Sequence, residues 1–437
     1  MCSFELAYPY YRVLFHFVYT FMKFYFNIAL GLHRDSSNYF LYKKDQVLTD
    51  WELDLFLCII LGSKANNSFI MKCFRFDLEH SLRGLENGGF STLFLIEAKL
   101  VKQDVWMSNL LAIVTSIGVL WLLTFVQSQH PQLSMVEAFE KLLGKWFSKL
   151  ALVIYLIYFL ETGVLAYRAI SWFYTTAILP NTAPNVLIIL IVLVSSSIYL
   201  GLGTLVRTVQ FILPFFIVCI CIVSLFILRE VEINPFLPML QSKLSVIIYG
   251  GMLSFGFPFG KAVVFGFLLS RVKNIKKTFV NLAAAVVLSG IYLLMASYLT
   301  FGALGIHLTK LSAFPFFTAI QLVKFGEYME RIEILIIAIW TIFTLFELIV
   351  LHYVFLIVIK QVFKIKETKP FIIPTGLLFY ALAQISYTRM MDLAAYDFKI
   401  LPFSSLLPTV IIPVLLTLLT LVRKRQRSMQ DQASPIS

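Results

Sequence analysis

The stretch GGMLSFGFPFGKAVVF, Gly250 to Phe265, interrupts a long apolar run with four glycines, a proline and a lysine. Glycine lowers helix stability, and proline lacks an amide donor and clashes with the carbonyl four residues before it. This composition predicts a membrane helix that is broken near residues 255–260. Ordinary membrane helices also carry glycine and proline at packing faces or kinks, so a simple kink is the alternative.

Composition places the chain in a membrane. Its 437 residues are 59% hydrophobic and only 14% charged, whereas soluble domains are about 25% charged. Its length suits about ten apolar helices, so we expect an all-α integral membrane protein. The net charge of +12 fits basic cytoplasmic loops better than a nucleic-acid partner, and we expect no nucleic acid.

Catalytic and metal-binding patterns do not stand out in the sequence. Its five cysteines show neither metal-ligand spacing nor a disulfide framework. The glycines of GLGTLV, from Gly201, lack the remaining glycine of a dinucleotide loop. We therefore expect no enzyme activity, no cofactor and no metal.

Apolar runs separated by short polar breaks predict the spans. They are Trp51–Leu61, Asn109–Val126, Leu150–Ala177, Val186–Leu200, Phe211–Leu228, Val246–Leu269, Phe279–Leu299, Ile332–Val358, Phe371–Ile385 and Leu406–Leu421. The most basic connections alternate regularly along this series, which predicts that both termini are cytoplasmic. The connection that carries Arg389, Asp392, Asp397 and Lys399 mixes charge signs and is predicted as a loop on the opposite side.

Domain organisation follows from the same pattern. Residues 46–430 are predicted to form a single membrane domain, followed by a short cytoplasmic tail at 431–437. Residues 1–45 form an atypical N-terminal segment, aromatic and apolar but interrupted by charges. Residues 64–89 form an atypical charged insertion, because each charge at the bilayer centre costs about 2.5–3.5 kcal/mol.

A broken helix in the bilayer core needs a reason, because its backbone groups must find partners inside the protein or line a cavity. Half-helix ends offer amides to carboxylates and carbonyls to cations. Transporters built from inverted repeats carry a matching break in the first helix of the other half. The corresponding place here is LCIILGS, which ends at Gly62 and Ser63.

Charged residues inside the predicted helices are further candidates. Glu161 and Arg168 lie about two turns apart and share a helix face. They could pair with other helices or line a polar pathway, and Arg168 could instead snorkel to the interface. Glu347 and His352 are similar, and an interior histidine held by a hydrogen bond is the plainer interpretation of His352.

Lys261 follows the glycine-rich break directly. Its ammonium could neutralise a ligand carboxylate or replace a coupling cation, and the alternative is a lysine that snorkels into a water-filled vestibule.

Several segments in register resemble one family. They are AKLVKQDVWMSNLLA from Ala98, LGKWFSKLALVIYLIYFLETGVLAYRAISWF from Leu143, LPNTAPNVLI from Leu179, GLGTLVRTVQFILPF from Gly201, INPFLPML from Ile233, GMLSFGFPFGKAVVF from Gly251 and MERIEILIIAIWTIF from Met329. The series is similar to the spore-germination permeases, the membrane B subunits of nutrient germinant receptors, in the amino acid–polyamine–organocation superfamily.

The resemblance implies a ten-helix, LeuT-like fold of two inverted five-helix repeats, with discontinuous first and sixth helices. It also implies a small nutrient ligand, classically an amino acid, and partnership with an A subunit and a C lipoprotein in the spore inner membrane. Two departures stand out: the long charged insertion at 64–89, and Lys261 where family members often have a glutamate.

The expected function is that of a permease-like receptor subunit which binds a small germinant in the membrane and triggers germination. Alternatives are an amino-acid/cation symporter of the same superfamily, in a bacterial cell membrane, and a degraded, non-functional copy. The ligand carboxylate is expected to meet the first-helix amides while its side chain faces the phenylalanines of the break. The predicted binding residues are Gly62, Ser63, Glu161, Phe255, Gly256, Phe257, Phe259, Gly260 and Lys261.

Overall fold

The computed structural model describes residues 95–182, 188–232, 236, 240–272, 274–322 and 333–433. The described residues all belong to one compact unit. The predicted first span, Gly62 and Ser63, the N-terminal segment and the charged insertion all lie outside the described residues. Within the described ranges all regular structure is helical.

The helices follow one another with short connections. They are α1 Ile96–Val101, α2 Val105–Gln129, α3 Met135–Leu143, α4 Lys145–Phe173, α5 Ile189–Leu200, α6 Leu202–Ile227, α7 Leu244–Gly256, α8 Ile275–Leu311, α9 Pro315–Gln321, α10 Glu333–Val362, α11 Ile372–Ser386, α12 Met390–Lys399, α13 Leu401–Ser404 and α14 Ile412–Ala433. A 3₁₀ helix, Phe259–Arg271, follows α7 and is called the 3₁₀ segment below.

Several of these helices are long enough to span a membrane. Among the described residues, five continuous helical stretches are long and apolar enough to cross a bilayer: Ile96–Gln129, Lys145–Ile178, Ile275–Leu311, Trp340–Val362 and Leu401–Gln426. Two bent helix pairs raise the number to seven if each pair is one span. The chain is therefore a multi-pass helical membrane protein, and nine of the ten predicted runs coincide with described helices or bent pairs.

The α2 helix shows why a membrane suits this fold. Its buried face carries small and polar residues such as Ser108, Asn109 and Ser116, while Val114 and Trp121 are exposed. A soluble helix shows the reverse arrangement. Small and polar residues at helix interfaces with apolar residues outside are typical of helices packed in lipid.

A capping box at the start of α3 and a glycine at its end define this helix and the turn into α4. Ser134 and Glu137 form a capping box at the start of α3, which satisfies two amides that the first helical turn leaves unpaired. Gly144 ends that helix with φ of 79°, a conformation that glycine adopts without strain. The chain then enters α4 directly.

Two helix pairs bend sharply. The α7 helix and the 3₁₀ segment meet at 41°. The stretch Lys369–Ser386, which contains α11, meets α12 at 98°. The first bend lies where the glycines and proline predicted a break. The second shows that the prediction of a loop at residues 389–399 was wrong, because Met390–Lys399 is helical and turns back against α4 and α13.

Asp104 anchors the approach to the broken helix. Its buried carboxylate accepts hydrogen bonds from the backbone amides of Leu240, Gln241 and Ser242, at 2.6, 3.0 and 2.8 Å. Ser242 Oγ also donates to the Val101 carbonyl at 3.1 Å. Carboxylate bonds to backbone amides are among the stronger hydrogen bonds in proteins. These contacts fix the start of α7 against the start of α2.

Replacing Asp104 should therefore destabilise the fold. We expect Asp104→Ala to lower the free energy of unfolding in detergent micelles by about 3 kcal/mol, because three amides lose their acceptor. Asp104→Asn keeps one oxygen and should lose less. Glu140→Ala, at an exposed position of α3, is the control and should change little. An Asp104→Ala protein as stable as the parent would contradict the anchoring role.

Candidate ligand site at the broken helix

The break runs from Gly256, the last residue of α7, to Phe259, the first residue of the 3₁₀ segment. The Phe257–Pro258 peptide bond between them is cis. The Phe257 amide still donates to the Leu253 carbonyl at 3.0 Å, and the Lys261 amide donates to the Pro258 carbonyl at 3.2 Å.

Side chains of α2 form hydrogen bonds with the break and with the end of α7. Ser116 Oγ donates to the Phe259 carbonyl at 3.2 Å. Ser254, one turn before the break, donates to Asn109 Oδ1 at 2.6 Å. The interruption is thus buried in protein, which is the condition under which irregular backbone persists at membrane depth.

The two glycines of the break differ in the space around them. A Cβ at Gly260 would lie 2.8 Å from the Phe255 carbonyl oxygen, so the backbone itself leaves no room for a side chain. A Cβ at Gly256 would meet its nearest atoms, on Leu401, Pro402 and Ser405, only at 3.5 Å. Gly260 is therefore required by the close approach of the chain, whereas Gly256 lies in ordinary van der Waals contact.

Lys261 forms a buried ion pair. Its Nζ contacts Glu347 Oε1 on α10, and both side chains are 1% exposed. The same Nζ lies 3.6 Å from the centroid of the Phe257 ring, a cation–π contact. The interpretation of Lys261 as a snorkelling lysine is therefore wrong, because Glu347 neutralises it inside the protein.

Further ionisable side chains interact with this pair, directly or through one another. Tyr158 and Glu161 of α4, Tyr387 at the end of α11 and Asp397 of α12 interact electrostatically with the pair or with one another. Of the predicted site residues, Phe257 contacts Lys261 directly, and Glu161 is linked to the pair through Tyr158, which interacts with both Glu161 and Glu347. Six side chains are together called the break cluster below: Tyr158, Glu161, Lys261, Glu347, Tyr387 and Asp397.

Contacts of the break cluster differ from member to member. Glu161 is partly exposed and accepts a hydrogen bond from Ser404 Oγ at 3.2 Å. Asp397 and Tyr158 are buried, and Asp397 Oδ1 and the Tyr158 hydroxyl have no hydrogen-bond partner among the described residues. The Tyr158 hydroxyl lies 3.5 Å from where a Cβ of Gly260 would be, so it points at the break.

The three predicted phenylalanines do not share one environment. All are buried, at 3% exposure for Phe255, 9% for Phe257 and 0% for Phe259. Phe257 covers the Lys261 ammonium. Phe259 belongs instead to the packing with α2 and α8, since its ring tip lies 3.6 Å from where a Cβ of Gly290 would stand. Of the three, Phe257 has the contact with the charged cluster.

Arg168 and His352 have structural partners. Arg168 Nε donates to the Tyr387 carbonyl at 2.5 Å, and its NH1 donates to Gln384 Oε1 at 2.8 Å. Snorkelling is excluded, because Arg168 is 4% exposed and ties α4 to the end of α11. His352 Nε2 lies 2.6 Å from Thr375 Oγ1, as expected for an interior histidine.

Sequence reasoning missed Asp397 and Tyr158 as members of the site. The charge pattern predicts a loop at Asp397, yet this residue lies four residues after Leu393 and both are buried on one face of α12. A carboxylate in step with the apolar face of a short amphipathic helix is a signal that could have found it. Tyr158 carries no such signal, because tyrosines are frequent in the apolar runs of this chain.

These features define a class: a multi-pass helical membrane protein with a bent span and buried charges at the bend. Comparison with known proteins gives the family. The family described as "Spore germination protein" matches residues 88–390, more than two thirds of the chain. The chain belongs to this family.

Individual relatives agree with the assignment. Spore germination protein KB of Bacillus subtilis (strain 168) is 21% identical over 344 residues, which cover 77% of this chain and 92% of that protein. Spore germination protein YndE of the same organism is 25% identical over 148 residues, which cover 34% and 41% of the two chains. The resemblance seen in the sequence is thus confirmed.

Breaking the Lys261–Glu347 pair should destabilise the protein strongly. Removing one partner of a buried pair leaves an uncompensated charge, so we expect Lys261→Met and Glu347→Leu each to cost about 3–5 kcal/mol. The double variant should recover most of that loss, because neither charge is then buried. Chemical unfolding in detergent micelles measures all three.

The matched control is the surface pair Arg389–Asp392, whose side chains are 79% and 32% exposed. Asp392→Asn should change stability by less than about 1 kcal/mol. A double variant as unstable as the sum of its single variants would show that the two side chains do not act as a pair.

The two glycines offer a second contrast. Gly260→Ala should lower the thermal unfolding midpoint clearly, because its Cβ would overlap the Phe255 carbonyl. Gly256→Ala should leave the midpoint nearly unchanged or raise it slightly. Alanine has a higher helix propensity than glycine, and a Cβ at Gly256 has room. Equal midpoints for the two variants would mean that the backbone at Gly260 yields without cost.

Proposed function

We propose that this protein is the permease-like membrane subunit of a nutrient germinant receptor, and that it binds a small, amino-acid-type germinant at the broken helix. The observation that carries the proposal is the buried break cluster at an interrupted span, in a chain that belongs to the spore germination protein family. Ionisable groups inside a membrane protein are costly and mark ligand or ion pathways.

The proposal includes the architecture on which the site depends. We propose a fold of ten membrane helices in two inverted repeats, with the second break at Gly62 and Ser63 and both termini cytoplasmic. In this arrangement the germinant carboxylate meets the first-helix amides, and Phe257 contacts the bound molecule. Residues 46–430 would then be one membrane domain.

We propose that ligand binding leads to a signal and not to accumulation of the ligand in the cell. Binding at the break shifts the packing of the bent span against α4, α10 and α13, and partner subunits respond to that change. A ligand shifts such an equilibrium only by its difference in affinity for the two arrangements. We propose that the partners are an A subunit and a C lipoprotein in the spore inner membrane.

One observation also favours a symporter as the second candidate. Buried charge pairs within membrane segments occur in proton and cation relays, and Lys261 with Glu347 is such a pair. Uptake into vesicles that requires an ion gradient, but not the partner subunits, distinguishes a symporter from a receptor.

The decisive experiment uses spores in which this chain is the sole B subunit, together with its A and C partners. Single amino acids, sugars and nucleosides are screened for germination, followed as loss of refractility. We expect a response to an amino-acid-type nutrient. Gly260→Trp should abolish that response, because it fills the break. Gly118→Ala is the control, since a Cβ there meets nothing within 4 Å.

The amount of each variant in the inner membrane is measured in parallel, so that loss of response can be separated from loss of protein. Spores that contain the parent protein but ignore every nutrient would contradict the receptor function and support either the symporter or a degraded copy. An undiminished response in Gly260→Trp would place the site elsewhere.

A further inference from the structure

Carboxyl groups outnumber amino groups at the break. Lys261 supplies one ammonium, and the carboxylates of Glu347, Asp397 and Glu161 surround the same short stretch of chain. Glu347 neutralises Lys261, so that the ammonium is already occupied. The guanidinium of Arg168 donates instead to two neutral acceptors, the Tyr387 carbonyl and Gln384 Oε1. Within the described residues, two carboxylates of the break cluster therefore remain without an opposite charge in contact.

Asp397 is the carboxylate that most needs a partner. It is 5% exposed, and its Oδ1 has no hydrogen-bond partner in the described part of the chain. A buried carboxyl oxygen without a donor is costly whether the group is ionised or neutral. A donor that enters with a ligand would remove this cost, and an ammonium group offers three N–H donors together with a positive charge.

A second, independent group points to the same place. The Tyr158 hydroxyl is buried without a partner among the described residues and is aimed at Gly260. Tyr387 interacts electrostatically with both Asp397 and Glu161. Aromatic faces attract cations, as Phe257 does with the Lys261 ammonium at 3.6 Å.

We propose that the break cluster binds the ammonium group of a small organic ligand, with Asp397 as its counter-ion and the Tyr158 hydroxyl as a further hydrogen-bond partner. This inference rests on the proposed function and reverses one sequence-based idea, because Lys261 does not receive the ligand carboxylate.

The test uses the purified full chain in lipid nanodiscs and four probes that differ in charge. L-alaninamide carries an ammonium without a carboxylate, L-alanine carries both, L-lactate carries only the carboxylate, and KCl supplies an inorganic cation. Binding is followed as the shift of the thermal unfolding midpoint with probe concentration, which yields a Kd for each probe. We expect L-alaninamide and L-alanine to bind, and L-lactate and KCl not to bind.

Matched variants locate the site. Asp397→Asn should weaken L-alaninamide binding by at least about tenfold, the loss expected for a hydrogen bond to a charged group. Asp392→Asn makes the same change on the same helix at a surface position and should leave the Kd unchanged. Tyr158→Phe should weaken binding by about threefold. Tyr167→Phe removes another buried hydroxyl of α4 that has no partner in the described ranges, and should have no effect.

Tyr158→Phe keeps the ring and the fold, so the proposal remains testable if Asp397→Asn does not fold. Binding of L-lactate as tight as that of L-alaninamide, or unaltered L-alaninamide binding in the Asp397 and Tyr158 variants, would overturn the proposal. Binding of KCl alone would overturn it in favour of an inorganic cation.

Failure of this inference can be told apart from failure of the receptor function. Spores that respond to a nutrient, combined with a purified protein that binds none of the amines, would overturn the ammonium site and leave the receptor function standing. Amine binding that disappears in Asp397→Asn, combined with spores that ignore every nutrient, would support the site and contradict the receptor.

Discussion

The ion pair between Lys261 and Glu347 is the interaction on which the rest of the site depends. Neither charge is tolerated alone inside a membrane protein, so each fixes the position of the other. Lys261 belongs to the 3₁₀ segment and Glu347 to α10. The pair therefore holds the second half of the bent span against a long helix, and the break at Gly256–Phe259 keeps a defined geometry.

A second restraint brings Asp397 to this pair. Arg168 binds the Tyr387 carbonyl at the end of α11, where the chain turns by 98° into α12. That turn places α12 against α4 and buries Asp397 near Lys261. The bend between α11 and α12 and the broken span are thus connected, because the bend places Asp397 near the break.

The sequence predicted the membrane class, the helix positions and the break near residues 255–260, because these follow from local composition and from the cost of glycine and proline in a helix. It did not predict which charges meet. Lys261 and Glu347 are 86 residues apart. Asp397 comes near them only because the chain bends sharply after Ser386. Charge signs alone assigned Asp397 to a loop, since its burial depends on tertiary packing. The ten-helix inverted repeat stays a prediction.

Stability alone does not account for charges at this position. A buried ion pair is often no more stabilising than apolar side chains of similar volume, because desolvation offsets the attraction between the charges. Apolar residues at 261 and 347 would fill the same space without that cost, yet the chain has a lysine paired with Glu347, a second buried carboxyl group at Asp397 and a tyrosine hydroxyl directed at Gly260. An arrangement in which Glu347 neutralises the lysine and Asp397 Oδ1 lacks a donor leaves Asp397 without a positive group in contact. A polar ligand that enters from water would supply that group, and this is why the interrupted span, rather than any continuous helix, is where we place recognition.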